Sequence, residues 1–404
     1  MLSPSRQQLL SSLARLRAHV EASEMQGCDP YDLLASTLRL DRLGSGACFA
    51  LTQLHKRSPV SLRGVLRIPP QRIPKAYGLL LAAYADLHRC EAGGLIAPVA
   101  GNAAEARLRP LFRWLLDNAV ATRTGICWGL PFAYASRVEM IAAGTPSLVV
   151  TAFVHRGIWA YHRETGDPEA LSAMRSCCRF VLDDLPRFES DDGLCFAYTP
   201  TNPIRCYNAT MLAAEMLART WALTGEAGLL EPARRTVDFV LRKQHDDGHW
   251  AYAAMPRGGE KQQIDFHQGF VLSSLLAYAT FSSDSDPRIE TALRQGGEYY
   301  RRVQFTDDGR SLWRIPRRFP TDIHHQAQGV LTFVDLSVLS RDYLLFAERI
   351  AQWTIENMQD RAGYFHYRRG RWFSNRIDYV RWGQAWMMRA LISLLQQTST
   401  EVAA

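Results

Sequence analysis

No stretch of this chain approaches the roughly 18 consecutive apolar residues that a membrane-spanning helix needs. No run of five or six Lys/Arg marks a nucleic-acid arm. The eight cysteines, at 28, 48, 90, 127, 177, 178, 195 and 206, contain no CxxC pair, which argues against a zinc site or a disulfide framework. Glycines never fall as GxGxxG or GxxxxGK[ST], so no nucleotide-phosphate cradle is expected and no cofactor is implied. Histidines never fall as HExxH, and His324-His325, being adjacent, diverge on a helix; no metal is expected. The opening residues, MLSPSRQQLLSSLARLRAHVEA, read as an amphipathic helix without a signal-peptide core or cleavage site. With cysteines set in apolar patterns, the expectation is a cytoplasmic protein with reduced, buried thiols.

What is there is an ordinary globular composition. Of 404 residues 47% are hydrophobic and 22% charged, with a net charge of +7 carried largely by arginine and dispersed along the chain. Dispersed arginine fits a groove for an acidic ligand, or simply a basic surface.

The organising feature is a repeat. The stretch from Thr236 to Ala279 reads as a helix, a glycine turn in DDGHW, a strand-like aromatic segment, a loop and a second helix. The turn glycine recurs as Gly129, Gly193, Gly248, Gly309 and Gly363, at spacings of 64, 55, 61 and 54. Glycine suits the left-handed backbone after a helix, and the Asp pairs before Gly193, Gly248 and Gly309 suit turns rather than catalysis. The helices before these turns are amphipathic. Those after them, beginning near Ser147, Arg205, Asp265, Ile323 and Asp378, are apolar on all sides and belong in an interior. With 76–89 there are six inner helices. Five outer partners are evident, and an N-terminal helix can supply the sixth. The pattern predicts an all-α fold, an (α/α)6 toroid of helical hairpins with strand-like segments in the loops at one mouth. Residues 1–404 read as one domain, with an irregular helical segment over 1–75 and a polar tail over 398–404.

In such a ring the inner helices open at one mouth, where the loops before them place Arg137, Glu139, Arg205, Tyr207, Asn208, Asp265, His267, His324, His325, Arg381, Trp382 and Gln384, flanked by Trp128 and Trp250. Aromatic faces stack on sugar rings, amides and imidazoles bond hydroxyls, and arginine grips carboxylates. Carboxylates at the mouth can act as general acid and base. The reading is a carbohydrate-active enzyme acting on an acidic, uronate-type saccharide. Asp265 and Glu139 are the acid/base pair, Arg137, Arg205 and Arg381 the carboxylate holders, and Trp128, Trp250 and Trp382 the stacking rings. Asn208, His325 and Gln384 complete the binding set, while His267, His324 and Tyr207 orient hydroxyls or carry protons. Each has a structural alternative: Asp265 as a helix cap, Glu139 as a partner of Arg137, the tryptophans as packing. His155, on an apolar face, reads as a core residue, and Cys206 lacks an activating base. The saccharide is the expected partner; nucleic acid is not, and the oligomeric state is open.

The segment YVRWGQAWMMRAL (379–391) resembles the RGQAW inner-helix signature of unsaturated glucuronyl hydrolases, within the six-hairpin glycosidase-like superfamily. From about Cys28 to Leu394, through DPYDLL, QLHKRSPVSLRGVLRIP, YTPTNPIRCYNA, DFHQGF, DIHHQAQ and RWGQAW, the chain resembles a bacterial family associated with polysaccharide-biosynthesis loci, one that carries no established reaction. The resemblance implies the toroid and a place in polysaccharide metabolism or biosynthesis. Of the hydrolases' paired catalytic aspartates, the nearest match is Asp265. Uronate C5-epimerases and polysaccharide lyases are similar toroids that remove the C5 proton; Tyr207, His267, His324 and Arg205 would serve there. A non-catalytic glycan-binding or scaffold role is a further alternative. The segment FVLRKQHDDGHW also resembles the QW repeat of terpenoid cyclases, but an Arg- and His-rich mouth suits a lipid badly.

Overall fold

A computed structural model describes residues 6–99, 103–136, 140–202, 204–255 and 258–403. Over the described residues the sequence builds fourteen α-helices. An N-terminal region holds α1 (Arg6–Ala22), α2 (Ser45–Arg57) and the single turn α3 (Arg63–Leu66). Six inner helices follow: α4 (Pro74–Ala92), α6 (Leu148–Thr165), α8 (Tyr207–Thr224), α10 (His267–Ser282), α12 (Ile323–Asp335) and α14 (Ala385–Ala403), the last entered through a π-helical turn over Val380–Gln384. Between them lie the outer helices α5 (Glu105–Asp117), α7 (Pro168–Arg179), α9 (Ala227–Leu241), α11 (Pro287–Gln304) and α13 (Arg341–Met358). Two outer helices start with an Asp-Pro pair. Asp167 and Asp286 cap α7 and α11 by accepting from the backbone N–H two residues on, each at 2.9 Å, which is the use expected of Asp before a first-turn proline.

Each inner helix packs on the next, and α14 packs back on α4, closing the ring. The inner helices are buried on nearly all sides; α8 hides Tyr207 through Ala218 without a break. Their side chains form one continuous core through all six hairpins. The predicted toroid is therefore the observed one. The strand-like segments are short antiparallel pairs and isolated bridges such as Gln244–Trp250, Phe305–Ser311 and Gln359–Phe365. The polar tail continues α14 as helix over 398–403.

Turn glycines lock neighbouring hairpins together. A Cβ at Gly309 would lie 2.7 Å from the Arg349 carbonyl on α13, and Gly193 and Gly248 abut α9 and α11 in the same way. In the second hairpin this contact is made by Gly125 against Ser176 of α7, not by Gly129, which packs on Thr145. Gly363 abuts Arg15 of α1, and Gln359 donates to the Ser12 carbonyl at 3.0 Å. The N-terminal helix thus stands where the sixth outer helix belongs.

Of residues 28–68, Tyr31 and Ala35 pack against the edge of the main core. Leu33, Leu34, Cys48 and Ile68 form a small core of their own with Ala135. This unit forms a cap that packs on the strand segment at Tyr134–Ala135 and on the turn leading into α14, where Tyr31 meets Trp382.

Candidate functional site

The start of α10 supplies an Asp-x-His pair. Asp265 is 2% exposed. One oxygen accepts from the His267 backbone N–H at 3.2 Å and from its Nδ1. The other accepts from Gln263 Nε2 at 3.0 Å and faces the Arg314 guanidinium at 3.2 Å. Burial pushes this carboxyl up, but His267, Arg314 and His325 outweigh it and hold the group below the ordinary aspartate value. Asp265 is thus an ionised residue that fixes the His267 ring, directing Nε2 away from the backbone. The His267 side chain keeps 19% exposure, between Tyr252, edge-on at 4.9 Å, and Phe266, stacked at 4.3 Å.

The start of α12 adds His324, 1% exposed, with no hydrogen-bond partner on either ring nitrogen among the described residues. Phe266, Trp382 and Trp386 surround it at 4.6, 4.8 and 4.6 Å. Burial, then Lys75 and Arg381, push its pKa well below the histidine value, so the ring is neutral. Asp322 caps α12 through the His324 N–H at 3.0 Å, and also accepts from Trp382 Nε1 at 2.7 Å and Arg368 Nε at 2.8 Å. His325 points elsewhere: Nδ1 donates to the Leu312 carbonyl at 3.0 Å, the ring stacks on Tyr300, and burial lowers its pKa to about 4. Among the described residues no three His, Cys, Asp or Glu side chains converge as metal ligands.

The cap meets this cluster from above. Asp29, fully buried, takes the Arg381 guanidinium with both oxygens, one contact being 2.8 Å. Tyr31 lies over Trp382 at 5.8 Å, and Lys56 sits against the Tyr31 ring at 4.0 Å. Arg63 ties to Asp32, and Asn375 donates to the Ser58 carbonyl at 2.7 Å.

The mouth therefore unites Asp265, His267, His324, Arg381 and Trp382, and several other expectations need correcting. Trp128 and Trp250 are buried packing residues whose indole N–H groups donate at 2.8 Å to the Leu115 and Val240 carbonyls, leaving no face for a sugar. Arg205 is exposed and covers Phe188 at 4.7 Å, beside an outer pocket with Arg187 and Glu189. Tyr207 donates to Glu260 at 2.6 Å; burial and that carboxylate raise its pKa, so it is no ready proton acceptor. Asn208 is buried and accepts from Cys206 Sγ at 2.7 Å. Gln384 accepts from the Phe365 N–H and donates to its carbonyl, both at 2.8 Å, which uses the amide in holding a loop strand. Arg381 is at the mouth, but its fork is already filled by Asp29. Arg137 and Glu139 lie outside the described residues. His155 is a core residue as expected, bonded to Thr220 at 2.9 Å.

Sequence reasoning passed over Lys75, Asp29, Arg314 and Arg368. Lys75 precedes the predicted start of its helix by one residue, in the proline-rich connection. Asp29 stands in the DPYDLL motif, which carried a family likeness but no chemistry.

No family model matches this chain, and no curated protein does so. Solved structures do match. A glycoside hydrolase family 76 α-mannanase from Bacteroides thetaiotaomicron has 10% identity and a TM-score of 0.60, over 82% of this chain and 88% of that one. A cellobiose 2-epimerase from Spirochaeta thermophila has 14% identity and a TM-score of 0.60, over 81% and 86%. A possible member of glycoside hydrolase family 105 from Salmonella enterica has 12% identity and a TM-score of 0.62, over 98% and 95%. At these identities what is shared is the fold: the chain has the (α/α)6 toroid that these structures have.

Proposed function

We propose that this chain is a carbohydrate-active enzyme for an acidic saccharide, and that its chemistry is proton transfer at a sugar carbon by His267. The observation that carries the reading is the Asp265–His267 pair: a buried carboxylate fixes Nδ1, and Nε2, which makes no hydrogen bond among the described residues, faces a partly open mouth. That is the arrangement of an oriented general base. In the step proposed, Nε2 takes the C5 proton of a uronate, and the electron pair passes to the carboxylate as its enediolate. Reprotonation of C5 by water on the other face gives the epimer; departure of the C4 oxygen, which takes up the proton held by His267, gives the unsaturated sugar. The Arg314 guanidinium beside Asp265 opposes the developing charge.

Hydrolysis is supported less well, because Asp265 is held ionised and a glycosidic acid must hold its proton at working pH. The likeness to a cellobiose 2-epimerase and to two glycoside hydrolase families is compatible with either chemistry. An NMR time course in heavy water with uronate-containing oligosaccharides separates them. Loss of the C5 proton signal with inverted couplings means epimerisation, and a vinylic C4 proton means elimination. New reducing ends without either would overturn the proton-transfer reading in favour of hydrolysis.

A further inference from the structure

Lys75 is the second residue of α4 and is 5% exposed. Its ammonium makes no hydrogen bond or ion pair among the described residues. Its neighbours are rings, Phe153 at 4.2 Å, Trp386 at 5.3 Å and Phe270 at 5.8 Å. A lysine sealed into a core costs several kcal/mol unless something compensates it, and those rings recover only part of that. Asp29, the carboxylate whose charge acts on Lys75, is spent on Arg381.

One side of Lys75 is open. It lines a partly open cavity of about 60 Å³ whose other walls include Arg381, Tyr134, Tyr198, Thr199 and the opening turn of α6 at Ser147. Hydroxyls, the Arg381 guanidinium, the Lys75 amine and the positive end of an eighteen-residue helix share the walls with Leu130, Ile141, Val149 and Val150, around a space the size of a small anionic group. Burial pushes the Lys75 amine well below the usual lysine value, and Arg381 pushes it the same way; an incoming anion would restore its charge.

We propose that this cavity is the carboxylate subsite of the mouth, with Lys75 as the receptor for the uronate carboxyl group. The inference rests on the acidic-saccharide reading and deepens it: Lys75, not the Asp29-bound Arg381, sets the preference for an acidic sugar.

The test is calorimetric titration of a uronate trisaccharide, its carboxyl-reduced neutral counterpart and a sugar phosphate into wild type, Lys75→Met and Lys75→Gln. The wild type is expected to bind the uronate at least about tenfold more tightly than the neutral sugar, a difference of one charge-assisted contact. Both variants should bind the two equally. Without ligand, Lys75→Met should melt no lower than wild type, since an unpaired buried amine is replaced by an apolar chain of similar length. Equal binding of acidic and neutral sugars by wild type would sink the subsite while leaving the saccharide reading intact. Binding of neither sugar would sink both. A preference for the sugar phosphate would overturn the carboxylate assignment. A preference retained in either variant, or a Lys75→Met protein that melts lower, would show the lysine to be structural.

Discussion

At the scale of single residues, the molecule is defined by buried ionisable groups with divided fates. Asp265 stays charged because His267, Arg314 and His325 outweigh its burial. Asp265→Asn keeps its size and some hydrogen bonds but loses the charge that orients the imidazole. The expected outcome is a folded protein with turnover reduced by about 10²–10⁴, the usual worth of general acid–base catalysis. Circular dichroism and a progress curve check it; an active variant would remove Asp265 from the mechanism. His155 shows the opposite fate. Burial lowers its pKa from 6.5 to about 3, so it is neutral in the fold. Between pH 6 and pH 4 the unfolded chain takes up a proton there that the folded chain refuses. Stability must therefore fall as pH falls across that window, by about 1.4 kcal/mol per pH unit for this group. Asp335 works against it: burial raises its pKa to about 6, so its contribution is present below the ordinary aspartate value and is lost as pH rises through 6. Denaturant melts at pH 4, 5 and 6 should show a shallower acid loss in His155→Gln than in wild type. The slope, not the absolute stability, is the test.

At the scale of elements, the inner helices carry a device that the sequence displayed in plain view. Gln268, Gln326 and Gln384 stand 58 residues apart, and each accepts from the backbone N–H of the loop strand beneath it: Trp250 at 3.0 Å, Ser311, and Phe365 at 2.8 Å. Thr151 does the same for Trp128 at 3.0 Å. The glutamine of RWGQAW looked like a ligand for sugar because it was read alone; its period marks it as scaffold. Gln326→Ala should cost about 1–3 kcal/mol, the penalty for stranding buried backbone groups, with no effect on KM beyond the loss of folded protein. The cap was the least legible element. RSPVSLRGVLRIPPQRIPK has no periodicity, and the pair that seats it, Asp29 with Arg381, joins residues 352 apart in sequence, a separation no local pattern records. Breaking a buried ion pair by removing one partner costs about 3–5 kcal/mol. Because the cap has its own small core, Asp29→Asn should raise amide exchange over residues 28–68 while the inner helices keep their protection. Uniformly faster exchange would mean that cap and ring are one cooperative unit.

At the scale of the whole molecule, what matters is how a linear repeat becomes a ring. Periodicity made five hairpins legible, because a turn glycine and an all-apolar helix recur in each. Closure was less legible, because α1 arrives some 340 residues before the hairpin it completes and carries no mark of its partner. The packing supplies the missing argument. Gly309 and Gly363 occupy equivalent turns, with φ of 90° and 101°, and each presses on the backbone of the next outer helix, α13 in one case and α1 in the other. Alanine at either position adds a Cβ in a backbone region that L residues avoid, at a cost of about 1–3 kcal/mol, and drives it into a neighbouring helix. If α1 is an integral sixth outer helix, Gly363→Ala should lower the main unfolding transition about as much as Gly309→Ala does. If α1 merely decorates a ring closed by α14 on α4, Gly363→Ala should free the N-terminal helix to proteolysis and leave the main transition where it was. The bond from Gln359 to Ser12 and the burial of Leu9, Leu13 and Leu16 in the common core favour the first outcome, since α1 packs on α14 and cannot leave without exposing it.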